Sequence, residues 1–235
     1  MPGQAQILPG IAITRHVLPN QSAPIRQFAY FLALSKKQGG NDLTEEGKAI
    51  LVTGYKAHEL GIYSADHQGI SVIRYALKKS MREFADQGVQ WFVISGQTGV
   101  ELWAGSVCIE LRDEEKLNVH LAVLVPFLNQ DEHYKEWQQE LYAEVLAQAD
   151  YTGVISNRPY ENPAQLRLKN DFLVAKTEAM LIVYDEEAPG TPRYYLAAAK
   201  SKKRNHDYPI QIINRYDLDF AAEDLQQQNP NYWTQ

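Results

Sequence analysis

From residue 49 onward, six short strand-like runs alternate with longer amphipathic stretches, and few folds accept that rhythm. The runs fall at 49–52, 91–94, 120–125, 151–156, 180–184 and 209–213, and most are apolar without interruption. A strand that is apolar on both sides must be covered on both faces, as in a parallel sheet with helices above and below. The stretches between the runs have helical spacing. Over 70–85 the residues Ile70, Ile73, Leu77, Met81 and Phe84 fall on one side, and helices are also expected at 100–115, 131–149, 163–176 and 192–203. The predicted fold class is therefore α/β: a single Rossmann-like domain, its sheet mostly parallel, with helices on both faces. Glu136, Glu140 and Glu144, at i, i+4 and i+8 of the third helix, read as a solvated face.

The two ends break the pattern. The first 40 residues hold Arg15, Arg26, Lys36 and Lys37 and no acid, and Pro2, Pro9, Pro19 and Pro24 are four of the 11 prolines. Such a segment sustains neither the helical nor the strand period. Residues 1–48 are expected to be a poorly ordered N-terminal extension, or sequence ahead of an over-long start, with one short helix over 25–37. The domain is expected to occupy 49–215, and 216–235 to be an acidic, Gln-rich tail that wanders.

Composition removes several function classes. The net charge of −6 argues against a nucleic-acid partner, because such proteins carry a basic footprint. The single cysteine, Cys108, excludes an intramolecular disulfide framework and a cysteine-based zinc site. The six histidines show no ligand spacing, so neither a metal nor a resident cofactor is expected. The apolar run at 28–34 is far short of the roughly 20 residues that cross a bilayer, and 1–14 lack the basic start of a secretory leader. A cytoplasmic protein without membrane contact is the expectation.

In open parallel sheets ligands bind beyond the carboxyl ends of the strands. After the first run come Thr53-Gly54-Tyr55-Lys56 and then Glu59-Leu60-Gly61. After the second comes Ser95-Gly96-Gln97-Thr98-Gly99-Val100-Glu101, leading straight into a helix. Glycines permit close approach and positive φ, and a helix N-terminus suits phosphate. The spacing matches neither the dinucleotide motif nor a P-loop, and a tight turn without ligand gives the same pattern. Two such turns on adjacent strands favour a ligand site. Ser95 lacks the surroundings of a nucleophile elbow, and Cys108 reads as core. Trp103 reads as core or, alternatively, as a stacking platform. Arg158, Arg167 and Lys169 offer charge to a phosphate or serve as ordinary surface. The basic run Lys200, Lys202, Lys203 and Arg204 reads as compensation of a helix dipole.

The stretches 51–56, 59–62 and 94–103, with Val125-Pro126-Phe127, Arg158-Pro159-Tyr160, Lys169-Asn170 and Val183-Tyr184-Asp185, resemble the YpsA-like family of the SLOG superfamily over about residues 49–215. The resemblance implies a Rossmann-like protein that binds a nucleotide or nucleotide-derived ligand, with ADP-ribose-like molecules favoured. It also implies a cytosolic sensor or regulator linked in some members to cell division, and a homodimer by analogy. Carried over by motif, Gly96 and Gly99 form a phosphate turn. Glu101 contacts ribose or orders the pocket, and Thr53, Gly54, Tyr55, Glu59, Ser95, Gln97 and Arg158 line the site. The phosphoribohydrolase branch of the superfamily carries a double-glycine motif followed by a glutamate. Here that stretch reads Glu187-Ala188-Pro189-Gly190-Thr191-Pro192, which retains Gly190 and Thr191 as phosphate contacts and lacks the rest. Binding is thus expected ahead of two alternatives. One is hydrolysis of an N-glycosidic or phosphoester bond with Glu101 as acid or base, and the other is a structural interaction protein with a vestigial pocket.

Overall fold

The structure, a computed structural model, describes residues 48–228; the expectations for the N-terminal segment and its short helix lie outside them. Strands β1 (Lys48–Thr53), β2 (Val89–Ile94), β3 (His120–Phe127), β4 (Tyr151–Ser156), β5 (Ala179–Val183) and β6 (Ile210–Ile213) form one sheet. Its order is β4-β3-β2-β1-β5-β6, and every neighbouring pair is parallel. The helices are α1 (Gln68–Asp86), α2 (Val100–Asp113), α3 (Glu136–Gln148), α4 (Ala164–Lys176), α5 (Arg193–Lys203) and α6 (Arg215–Gln228). One-turn 3-10 helices lie at Ala57–Leu60 and Gln130–His133.

Right-handed crossovers fix which helix covers which face. The chain steps from β1 outward to β4 in one direction, then returns to β5 and β6 on the other side of β1. Helices α1, α2 and α3 therefore share one face, with α6 packed beside α1, while α4 and α5 pack together on the opposite face. The direction of winding reverses between β1 and β5, and in open parallel sheets such a reversal is where the ligand crevice lies, at the carboxyl ends of the strands. The interiors of β1, β3 and β5 and residues 91–94 of β2 are buried, as are Leu77 and Met81 of α1 and Leu102, Trp103 and Leu111 of α2.

Two sequence-based expectations are corrected. Strand β3 does not stop at Pro126. β2 pairs with β3 only as far as Ile94↔Val123, whereas β4 pairs through Phe127↔Ser156. Pro126 thus falls where one neighbour has already ended and the missing N–H breaks no ladder. The segment after 215 does not wander up to residue 228, because it forms α6. Asn214 caps it, its side-chain oxygen accepting from the Tyr216 and Asp217 N–H groups at 2.8 and 3.2 Å, while the Asp217 carboxylate accepts from the Asn214 N–H at 2.8 Å. Leu218, Ala221, Ala222 and Leu225 then supply an i, i+3, i+4, i+7 stripe against the core. Among the described residues, no helix is long and apolar enough to cross a membrane.

Candidate functional site at the carboxyl ends of β1, β2 and β5

The loops after β1, β2 and β5 meet at the crevice, and Gly54, Gly96, Gly99 and Gly190 are used there by the protein's own packing. A Cβ on Gly54 would lie 2.8 Å from the Val100 side chain. Gly99, at φ +91°, would bring its Cβ to 2.5 Å from both Tyr55 O and Ala57 N, so the β2 loop lies directly on the β1 backbone. The Val100 N–H donates to Tyr55 O at 3.1 Å across the same contact. Gly96 (φ +71°) faces the Tyr142 ring, and Gly190 (φ +41°) faces the Tyr55 ring. These are positions that only glycine fills without strain.

Glu101 organises the first polar node. It sits in the opening turn of α2 and is fully buried. One carboxylate oxygen accepts from Thr53 Oγ1 at 2.8 Å, and the other from Ser95 N at 2.7 Å, Ser95 Oγ at 2.6 Å and Gln97 N at 3.3 Å. From the opposite face of the sheet, Lys169 of α4 reaches Ser95 Oγ at 3.4 Å and lies 4.5 Å from the Tyr195 ring centre. The Tyr195 hydroxyl also approaches Ser95 Oγ, at 3.3 Å. A buried hydroxyl thus bridges an anion on one helix layer and a cation on the other. The Ser95 and Gly96 carbonyls accept from Gln130 Nε2 at 3.0 Å and Tyr134 OH at 3.1 Å, which pins the turn from its outer side.

Burial sets the protonation behaviour of this node. Desolvation pulls the Lys169 ammonium down to about 8, with the Glu101 carboxylate opposing the shift and Lys56 adding to it. Burial pushes the Tyr195 hydroxyl well up, and the nearby Glu101 charge adds to this. The unfolded chain keeps the Lys169 proton to about 10.5, so between 8 and 10.5 the unfolded state binds more protons and this group's contribution to stability rises with pH. Buried tyrosines and Cys108, whose burial raises them, act in the opposite sense above pH 9, but they are common to both chains in a comparison with Lys169→Met. Relative to that variant, the wild type is expected to gain about 2 kcal/mol between pH 7 and 9.5. Urea titrations at both pH values check this, and equal pH slopes would contradict a buried cationic Lys169.

A second node joins β1 to β5. Glu59, in the 3-10 helix after β1, accepts from Thr191 N at 2.7 Å, Thr191 Oγ1 at 2.6 Å and Lys56 N at 2.9 Å. Burial alone would raise the Glu59 carboxyl, but the Thr191 and Lys56 bonds outweigh it and hold it below the usual carboxylate range. Tyr55 OH accepts from Asp185 N at 2.8 Å and donates to Ala188 O at 2.5 Å. Lys56 is half-buried, and its charge acts on both Glu59 and Lys169.

Thr53, Gly54, Tyr55, Glu59, Ser95, Gly96, Gln97, Gly99, Glu101, Gly190 and Thr191 thus converge. Arg158 does not join them. It follows the edge strand β4, its side chain is 71% exposed, and it pairs with Glu161 at 3.5 Å. Arg167 is likewise exposed, and Trp103 is core. Lys202 caps the neighbouring helix α4 rather than its own, donating to Val174 O at 2.8 Å and Thr177 O at 2.6 Å. Tyr195, Gln130 and Tyr134 were invisible to sequence reading. Lys169 carried a signal, being a lysine on the same helical side as Gln165 and Leu173, both buried.

The YpsA family model, described as a SLOG family, matches residues 50–218. The chain belongs to this family. Among curated family relatives, UPF0398 protein BH1768 of Halalkalibacterium halodurans is 46% identical over 177 residues, 75% of this chain and 93% of that protein. A UPF0398 protein of Bacillus thuringiensis is 45% identical over 182 residues, 77% of this chain and 98% of its own length. Two solved structures show a distant likeness at 13% identity and a TM-score of 0.45. The first is the single-stranded-DNA-binding DNA processing protein A of Helicobacter pylori, covering 77% of this chain and 81% of that one. The second is DprA of Streptococcus pneumoniae, covering 78% of this chain and 57% of that one.

Proposed function

We propose that the protein binds a nucleotide-derived small molecule of the ADP-ribose kind at the carboxyl ends of β1, β2 and β5, and acts as a sensor or regulator. The observation that carries this is the convergence of three loops and the N-termini of two long helices, α2 and α5, at the point where the sheet's winding reverses. Lys56, half-buried beside Glu59 and close enough to act on Lys169, supplies a cation for the phosphates. Both oxygens of Glu101 are engaged by Thr53, Ser95 and Gln97, which suits a pocket-ordering role and speaks against proton transfer to a substrate. Binding is therefore favoured over hydrolysis. The competing reading, a structural interaction protein with a vestigial pocket, draws on the internal use of the motif glycines.

Thermal shift against ADP-ribose, NAD, AMP, ATP, cyclic dinucleotides and a short single-stranded DNA separates these. A ligand at about 100 times its dissociation constant stabilises by about 2.7 kcal/mol, roughly 5–10 °C for a domain of this size. The expected result is such a shift with one small nucleotide, reduced in Lys56→Ala. No shift from any member favours the vestigial pocket, and a shift from DNA alone replaces the small-molecule reading. The net charge of −6 counts against that last outcome.

A further inference from the structure

We propose that residues 185–191, between β5 and α5, form a lid over the β1–β5 crevice and that Tyr55 and Glu59 are the two bolts that hold it shut. The lid buries no side chain completely, and Glu186, Glu187, Ala188 and Pro189 are exposed. Its attachments are therefore mostly polar. Tyr55 OH takes the Asp185 N–H at 2.8 Å and gives its proton to Ala188 O at 2.5 Å. Glu59 takes the Thr191 N–H and hydroxyl at 2.7 and 2.6 Å. A further tie is an ion pair at the rim, Arg215 to Glu187 at 2.8 Å, with side chains 48% and 72% exposed, which contributes little. The ring of Tyr55 lies under Gly190, where a Cβ would come within 2.8 Å of it.

The ends of this segment differ sharply from its middle. Tyr184 before it is buried and bonds to β6 through Ile213 O at 3.0 Å, and Pro192 after it is buried at the start of α5. Gly190, at φ +41°, stands next to the second anchor and tolerates the backbone rotation that opening requires. A segment with few buried apolar contacts opens at a cost set by its local hydrogen bonds, well below that of global unfolding. Both bolts come from the β1 loop and lie more than 125 positions away in sequence, so they tie the two sides of the crevice directly to one another. Releasing them uncovers the crevice without disturbing the sheet. That the lid admits a nucleotide rests on the function proposed above; the lid itself does not.

Hydrogen exchange on the full chain tests the bolts. In the variant Tyr55→Phe/Glu59→Gln, amides of 185–191 are expected to exchange about tenfold faster than in the wild type, while amides of β1, β2, β3 and β5 keep their wild-type rates. The two single variants are each expected to show part of the acceleration. Unchanged exchange at 185–191 would overturn the proposal, as would acceleration of the strands in step with the loop. Association of ADP-ribose, followed by stopped flow, is expected to be faster in the double variant. If neither form binds while the exchange difference is present, the ligand reading fails and the lid stands.

Discussion

Gly99→Ala is expected to lose about 3 kcal/mol or more of folding stability, which lowers the melting temperature by roughly 6–12 °C. Two costs combine. The backbone sits at φ +91°, a conformation that L side chains rarely adopt, and the added methyl would lie 2.5 Å from a carbonyl oxygen and an amide nitrogen of the β1 loop. Neither atom moves without displacing Tyr55 or Ala57, both buried. Gly61→Ala separates the two costs, since Gly61 has φ +69° and open space where its Cβ would be. It is expected to lose about 1 kcal/mol. Thermal or urea unfolding of both variants checks this, and equal losses would contradict the close approach of the two loops. Gly99→Ala is consequently a probe of the fold, and ligand binding is better probed at half-exposed Lys56.

Glu101→Gln is expected to cost about 3–5 kcal/mol, the usual penalty for leaving a buried charge uncompensated. The carboxylate receives two backbone N–H groups and two hydroxyls, and an amide cannot accept all four. The substitution also strips the negative charge facing Lys169, whose ammonium is already penalised by burial. Adding Lys169→Met removes that stranded cation, so the double variant should recover part of the loss. Equilibrium denaturation of the wild type, both single variants and the double checks the coupling. Additive losses would mean that the two helix layers do not communicate through Ser95.

The fold was legible because its signals are local. Runs such as Trp91-Phe92-Val93-Ile94 are apolar on both sides, and a strand covered on both faces has few alternatives. The reach of β3 past Pro126 was not legible, because it depends on where β2 stops pairing. Helix α6 was missed because its buried stripe uses two alanines among acids, although Asn214 and Asp217 announce its cap. At the site, the motif glycines were read as letting a ligand approach closely, and at Gly99 the group that approaches is the protein's own β1 loop. The partners of Ser95 from the other face were hidden for a different reason: Lys169 and Tyr195 stand 74 and 100 positions from it, on helices of the opposite layer. No local pattern pairs them. Tertiary topology does, by bringing both helix layers to one end of the sheet.

Amide chemical-shift mapping during an ADP-ribose titration is the decisive test of the proposed nucleotide site where the β1, β2 and β5 loops meet. Perturbations are expected to be confined to residues 54–59, 95–101 and 184–192 and to saturate together at a single affinity. Perturbations centred on Arg158 or on α6, or none at any ADP-ribose concentration, would contradict that site.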